Sequence, residues 1–193
     1  VSQNKAELYQ DFLDELKEIE QQRYLGVRFE IDIAATLIRS DVEFVHPDPP
    51  DYVIEGDNNI KLECTTSHLT KKDGEFERKL KDSLLSKSGK DYMTSSTALL
   101  LDLTNIFHNT LPDNSGLIRQ KIRDNVDTFD INVGSVIIFW HRVEEVDDTV
   151  RASHIYLRED IRHAEPELID FLDKVWSKGE DDPNNAFSYP MLP

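Results

Sequence analysis

Cysteine is nearly absent from this chain of 193 residues, in which Cys64 is the only one. A single cysteine excludes an intrachain disulfide and a zinc site built from several thiolates. The same scarcity favours a reducing, intracellular compartment, because extracellular domains of this size commonly use disulfides. We therefore expect a cytoplasmic protein.

Long hydrophobic runs are also missing. No apolar segment approaches the roughly 18 residues that a membrane helix needs, and the residues after Val1 form no signal-like apolar run. The seven glycines form no glycine-rich phosphate loop, and no internal repeat is visible. The sequence thus predicts neither a membrane span nor a P-loop nucleotide site.

Positive charge is scarce, since 22 Lys and Arg stand against 38 Asp and Glu and give a formal net charge of −16. Such a charge argues against a general nucleic-acid binder, which usually carries a basic face. Residues 71–90 are the exception, because they hold seven bases and four acids and carry +3. This segment is either a local phosphate-binding surface or a solvated helix face, and its composition alone favours the solvated face.

Hydrophobic periodicity predicts a single α/β domain with a mixed central sheet flanked by helices. Helices are expected at 4–22, 26–39, 71–90, 117–126 and 165–176. Strands are expected at 41–46, 98–103, 134–141 and 153–157, the last of them at a sheet edge, and residues 144–148 are expected to form a solvated loop. The core is placed at about 26–141, after an N-terminal helix at 4–22 and before a C-terminal helix and acidic tail in 142–193.

The segment from Pro50 to Thr66 carries the residues of greatest chemical interest. It is typical of two short strands joined by a polar turn, with Asp51 at the start and Glu63 inside the second strand. If the loop covers residues 55–59, Ile54 pairs with Ile60. Asp51 then lies opposite Glu63, whereas a loop shorter by one residue would place the two acids on opposite faces.

Two carboxylates on adjacent strands supply half of a metal site. Mg²⁺ prefers a few carboxylate oxygens in octahedral geometry and acidifies a bound water, which is what phosphodiester hydrolysis requires. We expect Asp51 and Glu63 to hold Mg²⁺ (or Mn²⁺) together with the main-chain carbonyl of Cys64. Glu30 lies on the apolar stripe of the helix at 26–39, so its side chain is expected to point inward.

The succession of Glu30, the Pro50-Asp51 pair and the Glu63-Cys64 pair resembles the signature of the PD-(D/E)xK nuclease superfamily, which has the restriction-endonuclease-like fold. The expected order of helix, three strands, helix and strand agrees with that fold. The resemblance implies a metal-dependent nuclease with DNA as the favoured substrate, in which Asp51 and Glu63 bind the metal and Glu30 positions it or recruits a second ion. It is also compatible with a homodimer, since restriction-like nucleases are often dimers.

One position departs from the family pattern. Thr65 stands where the signature has a lysine, and in some members of the superfamily the lysine comes from the following helix. The resemblance, which covers residues 26–104, therefore implies Lys87 as the catalytic lysine, with Lys79 second and Lys61 third. Since Lys79 and Lys87 are two turns apart on one helix face, only one of them should reach the metal. If none does, the chain is a catalytically inactive nuclease-fold module that binds nucleic acid or a protein partner.

Each of the three acids also has a structural explanation. Asp51 could cap a turn, Glu63 could lie on a strand facing water, and Glu30 could pair with a buried arginine. A further alternative is a non-nuclease α/β protein in which Asp51 and Glu63 lie on opposite faces of the sheet. Under the nuclease hypothesis, segment 71–90 contacts the phosphate backbone of nucleic acid, so that binding weakens with salt.

Overall fold

The computed structural model describes residues 12, 21–47, 49–56, 59–67, 76–87, 89–104, 115–146 and 149–178. Its elements, in chain order, are α1 (Gln21–Arg39), β1 (Phe44–Val45), β2 (Tyr52–Ile54), β3 (Lys61–Thr66), α2 (Phe76–Lys87), β4 (Thr97–Asp102), α3 (Ser115–Thr128), β5 (Ser135–Val146), β6 (Thr149–Asp160) and α4 (Pro166–Val175). This part of the chain is an α/β fold with a six-stranded mixed sheet flanked by four helices, and the predicted fold class is confirmed. The helix predicted at 4–22 lies mostly outside the described residues.

The six strands lie side by side in the order in which they occur in the chain. β1, β2 and β3 pair antiparallel, β3, β4 and β5 pair parallel, and β6 pairs antiparallel with β5 at the far edge. Parallel neighbours need a crossover connection, and α2 and α3 supply the two that this sheet requires. The carboxyl ends of β3, β4 and β5 consequently lie at the same end of the sheet.

Helices cover both faces of the sheet. Alternate residues of β4 belong to two separate core clusters: Leu100 packs with α1 and α4, whereas Leu99 and Leu101 pack with α2 and α3. A strand buried on both sides is apolar at nearly every position, which explains the aliphatic run in β4. Leu80 and Leu84 of α2 are fully buried against this second face, as their helical spacing predicts.

All four described helices have bounds that differ from the prediction, α3 and α4 by only one or two residues at each end. α1 covers Gln21–Arg39 where a helix was predicted at 26–39, and residues 13–20 before it lie outside the described residues. α2 covers Phe76–Lys87, while residues 68–75 of the predicted basic segment lie outside the described residues. Among the described helices, none has the length and apolar content needed to cross a membrane.

The region after residue 141 contains more strand than the sequence predicts. The prediction of a solvated loop at 144–148 is wrong for 144–146, because β5 continues to Val146 and pairs with β6 over its full length. Strand pairing depends on main-chain hydrogen bonds, and an edge hairpin tolerates charged side chains. The sheet thus extends beyond the expected core boundary, and β6 forms the edge that was predicted at 153–157.

Candidate metal centre

The β2–β3 hairpin has the register that brings the two predicted acids together. The N–H of Ile54 donates a hydrogen bond to the Ile60 carbonyl at 3.1 Å, as a loop over residues 55–59 requires. Continued towards the start of β2, the same register places Asp51 opposite Glu63 at a non-hydrogen-bonded position. Facing Cβ atoms at such a position are only about 5 Å apart. The predicted register is confirmed, and the alternative with the two acids on opposite faces is excluded.

The main chain of Cys64 faces Asp51. Its N–H donates a hydrogen bond to Oδ2 of Asp51 at 2.5 Å. In an antiparallel pair the N–H and C=O of one residue point towards the same neighbouring strand, so the Cys64 carbonyl points to the same side as its N–H. The residue opposite Cys64 in this register is Pro50, which has no N–H to donate. The β2–β3 ladder therefore supplies no hydrogen-bond donor to the Cys64 carbonyl. This is what the predicted role of that carbonyl as a metal ligand requires.

Glu63 is more deeply buried than Asp51, with 2% of the residue exposed against 8%. Its Oε1 accepts hydrogen bonds from Lys87 Nζ at 2.5 Å and from the Tyr92 hydroxyl at 2.9 Å. Its Oε2 is buried and has no hydrogen-bond partner among the described residues. A buried carboxylate oxygen without a partner is unfavourable, and a cation is the group that would satisfy it.

The structure distinguishes clearly between the lysines that the sequence nominates. α2 packs on the sheet face that carries Glu63, and its last residue, Lys87, reaches that carboxylate. Lys79 lies two turns earlier, which corresponds to about 12 Å along the helix axis. The first of the nominated lysines is therefore the one that the fold brings to the predicted site.

A second group of ligating atoms adjoins Asp51. Glu30, His46 and Asp51 each offer one nitrogen or oxygen atom, and these atoms all lie within 4.8 Å of one another. Nε2 of His46 is 3.5 Å from Oε2 of Glu30. The Tyr52 hydroxyl donates a hydrogen bond at 2.7 Å to the main-chain carbonyl of Glu30 and so fixes α1 against β2. Glu30 therefore meets Asp51 at the end of the hairpin, although α1 and α2 cover opposite faces of the sheet.

The electrostatics of the site are those of an acid cluster with too little positive charge. Burial, followed by the carboxylates of Glu63 and Glu30, raises the pKa of Asp51 to about 7, and the Cys64 N–H and Lys87 only partly oppose this. Burial of the Cys64 thiol, followed by the carboxylates of Asp51, Glu30 and Glu63, raises its pKa well above the ordinary value. The thiol is therefore neutral and unreactive, whereas a cation bound beside Asp51 would stabilise its charged form.

Sequence reasoning missed two residues of this site. His46 ends the predicted strand at 41–46, and strand alternation places it on the same face as Phe44, but nothing in the sequence indicates that this face meets Glu30. Tyr92 follows α2 in an irregular segment where no periodicity applies. Both residues become visible only when the elements are packed together.

The basic segment is partly engaged in contacts within the fold. Arg78 pairs with Asp82 at 3.1 Å, and the Lys81 ammonium lies 4.7 Å from the ring centroid of Phe129. Residues 71–75 lie outside the described residues. Contact between segment 71–90 and a phosphate backbone therefore remains a prediction.

Comparisons of the chain with protein-family models, with curated proteins and with solved structures found no significant match. Membership of the PD-(D/E)xK superfamily thus remains a prediction. The case for a function depends on the geometry and charge of the site.

Proposed function

We propose that this protein is a metal-dependent nuclease that hydrolyses phosphodiester bonds, with DNA as the favoured substrate. The observation that supports this best is the convergence of Glu30, Asp51 and Glu63 at one end of the β2–β3 hairpin, with Lys87 as the cation in contact with Glu63. Asp51 and Glu63 are buried, so their charges are poorly solvated. A divalent cation would compensate this excess of negative charge and is the agent that phosphodiester hydrolysis needs.

The residues present fit a hard divalent cation, Mg²⁺ or Mn²⁺. Asp51, Oε2 of Glu63 and the Cys64 carbonyl would hold it, with Glu30 beside them. When bound, the metal would polarise a phosphate oxygen and lower the pKa of a water molecule. Lys87 places a positive charge at the same carboxylate, where it would stabilise the charge that develops on the phosphoryl group.

The wider proposal includes the partner and the compartment. Segment 71–90 would contact the nucleic-acid backbone, and the salt dependence of binding would report how many phosphates it neutralises. The single cysteine is buried and free, in keeping with a cytoplasmic location. A homodimer would be compatible with the same family resemblance.

The test is cleavage of supercoiled plasmid and of a labelled single strand with Mg²⁺, Mn²⁺ or EDTA. We expect metal-dependent nicking that falls at least about 100-fold in Glu63→Ala and in Lys87→Ala, because Glu63 would hold the metal and Lys87 would stabilise the charge on the phosphoryl group. Lys174→Ala is the control, since it removes an exposed lysine of α4, outside segment 71–90, and should keep activity within about threefold. Circular dichroism and a thermal melt of each variant separate loss of function from loss of fold.

The second candidate is a catalytically inactive module on the same fold that binds nucleic acid or a protein partner. Thr65 in the position of the signature lysine and the net charge of −16 favour it. Absence of cleavage on every substrate, together with calorimetry that detects no divalent metal binding by the folded protein, would establish this candidate instead.

A further inference from the structure

We infer that His46 is a metal ligand of this centre, and that its imidazole makes the centre select a transition metal such as Mn²⁺ over Mg²⁺. The inference rests on the proposed function, since it concerns the same metal centre. It goes beyond that function because it adds a nitrogen ligand that the carboxylate signature does not contain and names the metal class that this ligand favours.

The first argument is distance. Two ligand atoms that share one ion, each about 2.2 Å from it, can be no more than about 4.4 Å apart. Nε2 of His46 and Oε2 of Glu30 already satisfy this limit at 3.5 Å. The atom that Asp51 contributes lies within 4.8 Å of both, so only a small side-chain adjustment is needed for one ion to reach all three groups.

The second argument is that the imidazole is held in place before any ion binds. The His46 side chain is 12% exposed. Its ring contacts Phe12 edge-on at a centroid distance of 5.4 Å and Tyr52 at 5.1 Å. The β1–β2 register, continued by one residue, places His46 directly opposite Tyr52. Packing of this kind fixes the ring plane and directs Nε2 towards Glu30, which is what a preorganised ligand requires.

The third argument concerns the number of acids. A histidine that served only to pair with Glu30 would need a single carboxylate beside it. Here Asp51 is a second carboxylate within reach of the same imidazole, and Glu63 adds a third negative charge acting on Asp51. Lys87 already pairs with Glu63, so the carboxylates of Glu30 and Asp51 are the two left to compensate. One imidazolium would offset one of them, whereas a divalent ion bound to neutral imidazole would offset both.

The donor set then indicates the metal. Carboxylate, carbonyl and water oxygens suit Mg²⁺, whereas imidazole suits transition metals, and Mg²⁺ rarely accepts a nitrogen ligand from protein. A centre with one imidazole nitrogen and two or more carboxylate groups is suited to Mn²⁺, because this ion accepts both donor types in octahedral geometry. We therefore expect Mn²⁺ to bind at least about tenfold more tightly than Mg²⁺.

The experiment uses Mn²⁺ and Mg²⁺ alone as probes of the full chain. Calorimetry gives the two affinities, and pulsed electron paramagnetic resonance of the Mn²⁺ complex detects magnetic coupling to an imidazole nitrogen. We expect such coupling in the wild-type protein, and its loss in His46→Gln with a roughly tenfold or greater weakening of Mn²⁺ binding. Mg²⁺ binding should change much less. His163→Gln, which alters an exposed histidine elsewhere, is the matched control and should change nothing.

Three results would overturn the inference: no nitrogen coupling in the wild-type protein, coupling that persists in His46→Gln, or an unchanged ratio of Mn²⁺ to Mg²⁺ affinity in that variant. The first needs no variant, so a folding defect cannot obscure it. Nitrogen-coupled Mn²⁺ without cleavage would refute the nuclease function and leave the inference standing. Cleavage that is equal with both metals and unaffected by His46→Gln would refute the inference and leave the nuclease function standing.

Discussion

Buried charged side chains lie near both edges of the sheet, and the two regions compensate them in different ways. In β6, Arg158 is almost fully buried and donates to both oxygens of Asp160, at 2.7 and 3.0 Å, while its third nitrogen donates to Asp173 at 2.7 Å. In the β2–β3 region, by contrast, Asp51 lies opposite Glu63, and Lys87 contacts Glu63 alone of the two.

The pKa values of the two regions move in opposite directions for this reason. Burial would raise the pKa of Asp160, but the hydrogen bonds and charge of Arg158 outweigh it and hold that pKa below the ordinary value. Burial and the surrounding acids raise the pKa of Asp51 to about 7. Acids paired with a buried arginine hold the fold together, whereas buried acids in excess of their cations indicate a site that an external cation completes.

The largest expected effect is on the region around Arg158, where the acids are paired with an arginine. Arg158→Ala deletes a large buried side chain together with its hydrogen bonds to Asp160 and Asp173, and should lower the free energy of unfolding by about 3–5 kcal/mol. Urea unfolding at neutral pH measures this. Arg162→Ala, at an exposed position nearby, should cost less than about 0.5 kcal/mol. A loss below about 1 kcal/mol for Arg158→Ala would show that this cluster does not stabilise the fold and would break the comparison.

The second largest effect is expected in the β2–β3 region, where removing an acid should stabilise the metal-free protein. The pKa of Asp51 is raised from 3.8 to about 7 in the folded state, so folding binds a proton and the contribution of Asp51 to stability falls as pH rises through this window. Asp51→Asn removes the group that titrates and therefore removes this loss of stability at high pH. We expect it to stabilise the protein by up to about 4 kcal/mol at pH 8, and by little near pH 4.

Melting curves in EDTA at several pH values measure this effect. The matched experiment adds Mn²⁺, which should stabilise the wild-type protein and not Asp51→Asn, because the variant lacks a ligand. If Asp51→Asn were destabilising at pH 8 without metal, Asp51 would be an ordinary structural acid and the contrast with Asp160 would disappear.

A smaller effect is expected for the lysine of the site. Lys87→Met leaves Glu63 buried without its cation and should destabilise the metal-free protein by about 1–3 kcal/mol. Divalent metal should restore most of this loss, since an ion can take the place of the ammonium beside the carboxylate. Thermal melts with and without Mn²⁺ test the prediction, with Lys79→Met as the control. A loss that metal does not reduce would separate Glu63 from the metal centre.

The smallest effect is expected for a more exposed ion pair between α3 and β6, which can be compared with the buried Arg158. Arg123 donates to Glu159 at 2.6 Å, but its side chain is 57% exposed and Arg119 also lies 3.9 Å from the same carboxylate. Arg123→Gln should therefore cost less than about 1 kcal/mol, and less still in high salt. Chemical unfolding at low and high ionic strength measures it. A cost above about 2 kcal/mol would mean that exposure does not limit the value of these pairs.

The sequence by itself determined the local geometry of this protein. Alternation along the strands and the polar turn specify the hairpin register, and therefore the meeting of Asp51 with Glu63, because a shift of one residue would move every side chain to the other face. Helical spacing likewise identifies Leu80 and Leu84 as buried. These features depend on the period of a single element or of two adjacent ones, which the order of residues encodes directly.

Only the tertiary structure decided which distant residues join the hairpin. Periodicity indicates the inward face of α1 but not that Glu30 meets His46 there. The ranking of Lys87 before Lys79 came from the family resemblance, and only the packing of α2 shows that Lys87 contacts Glu63. The extension of the β5–β6 hairpin was missed because main-chain pairing leaves little trace in charged sequence. The physical reason is common to all three: a residue pattern encodes the face of its own element, whereas the group opposite that face depends on how the layers pack.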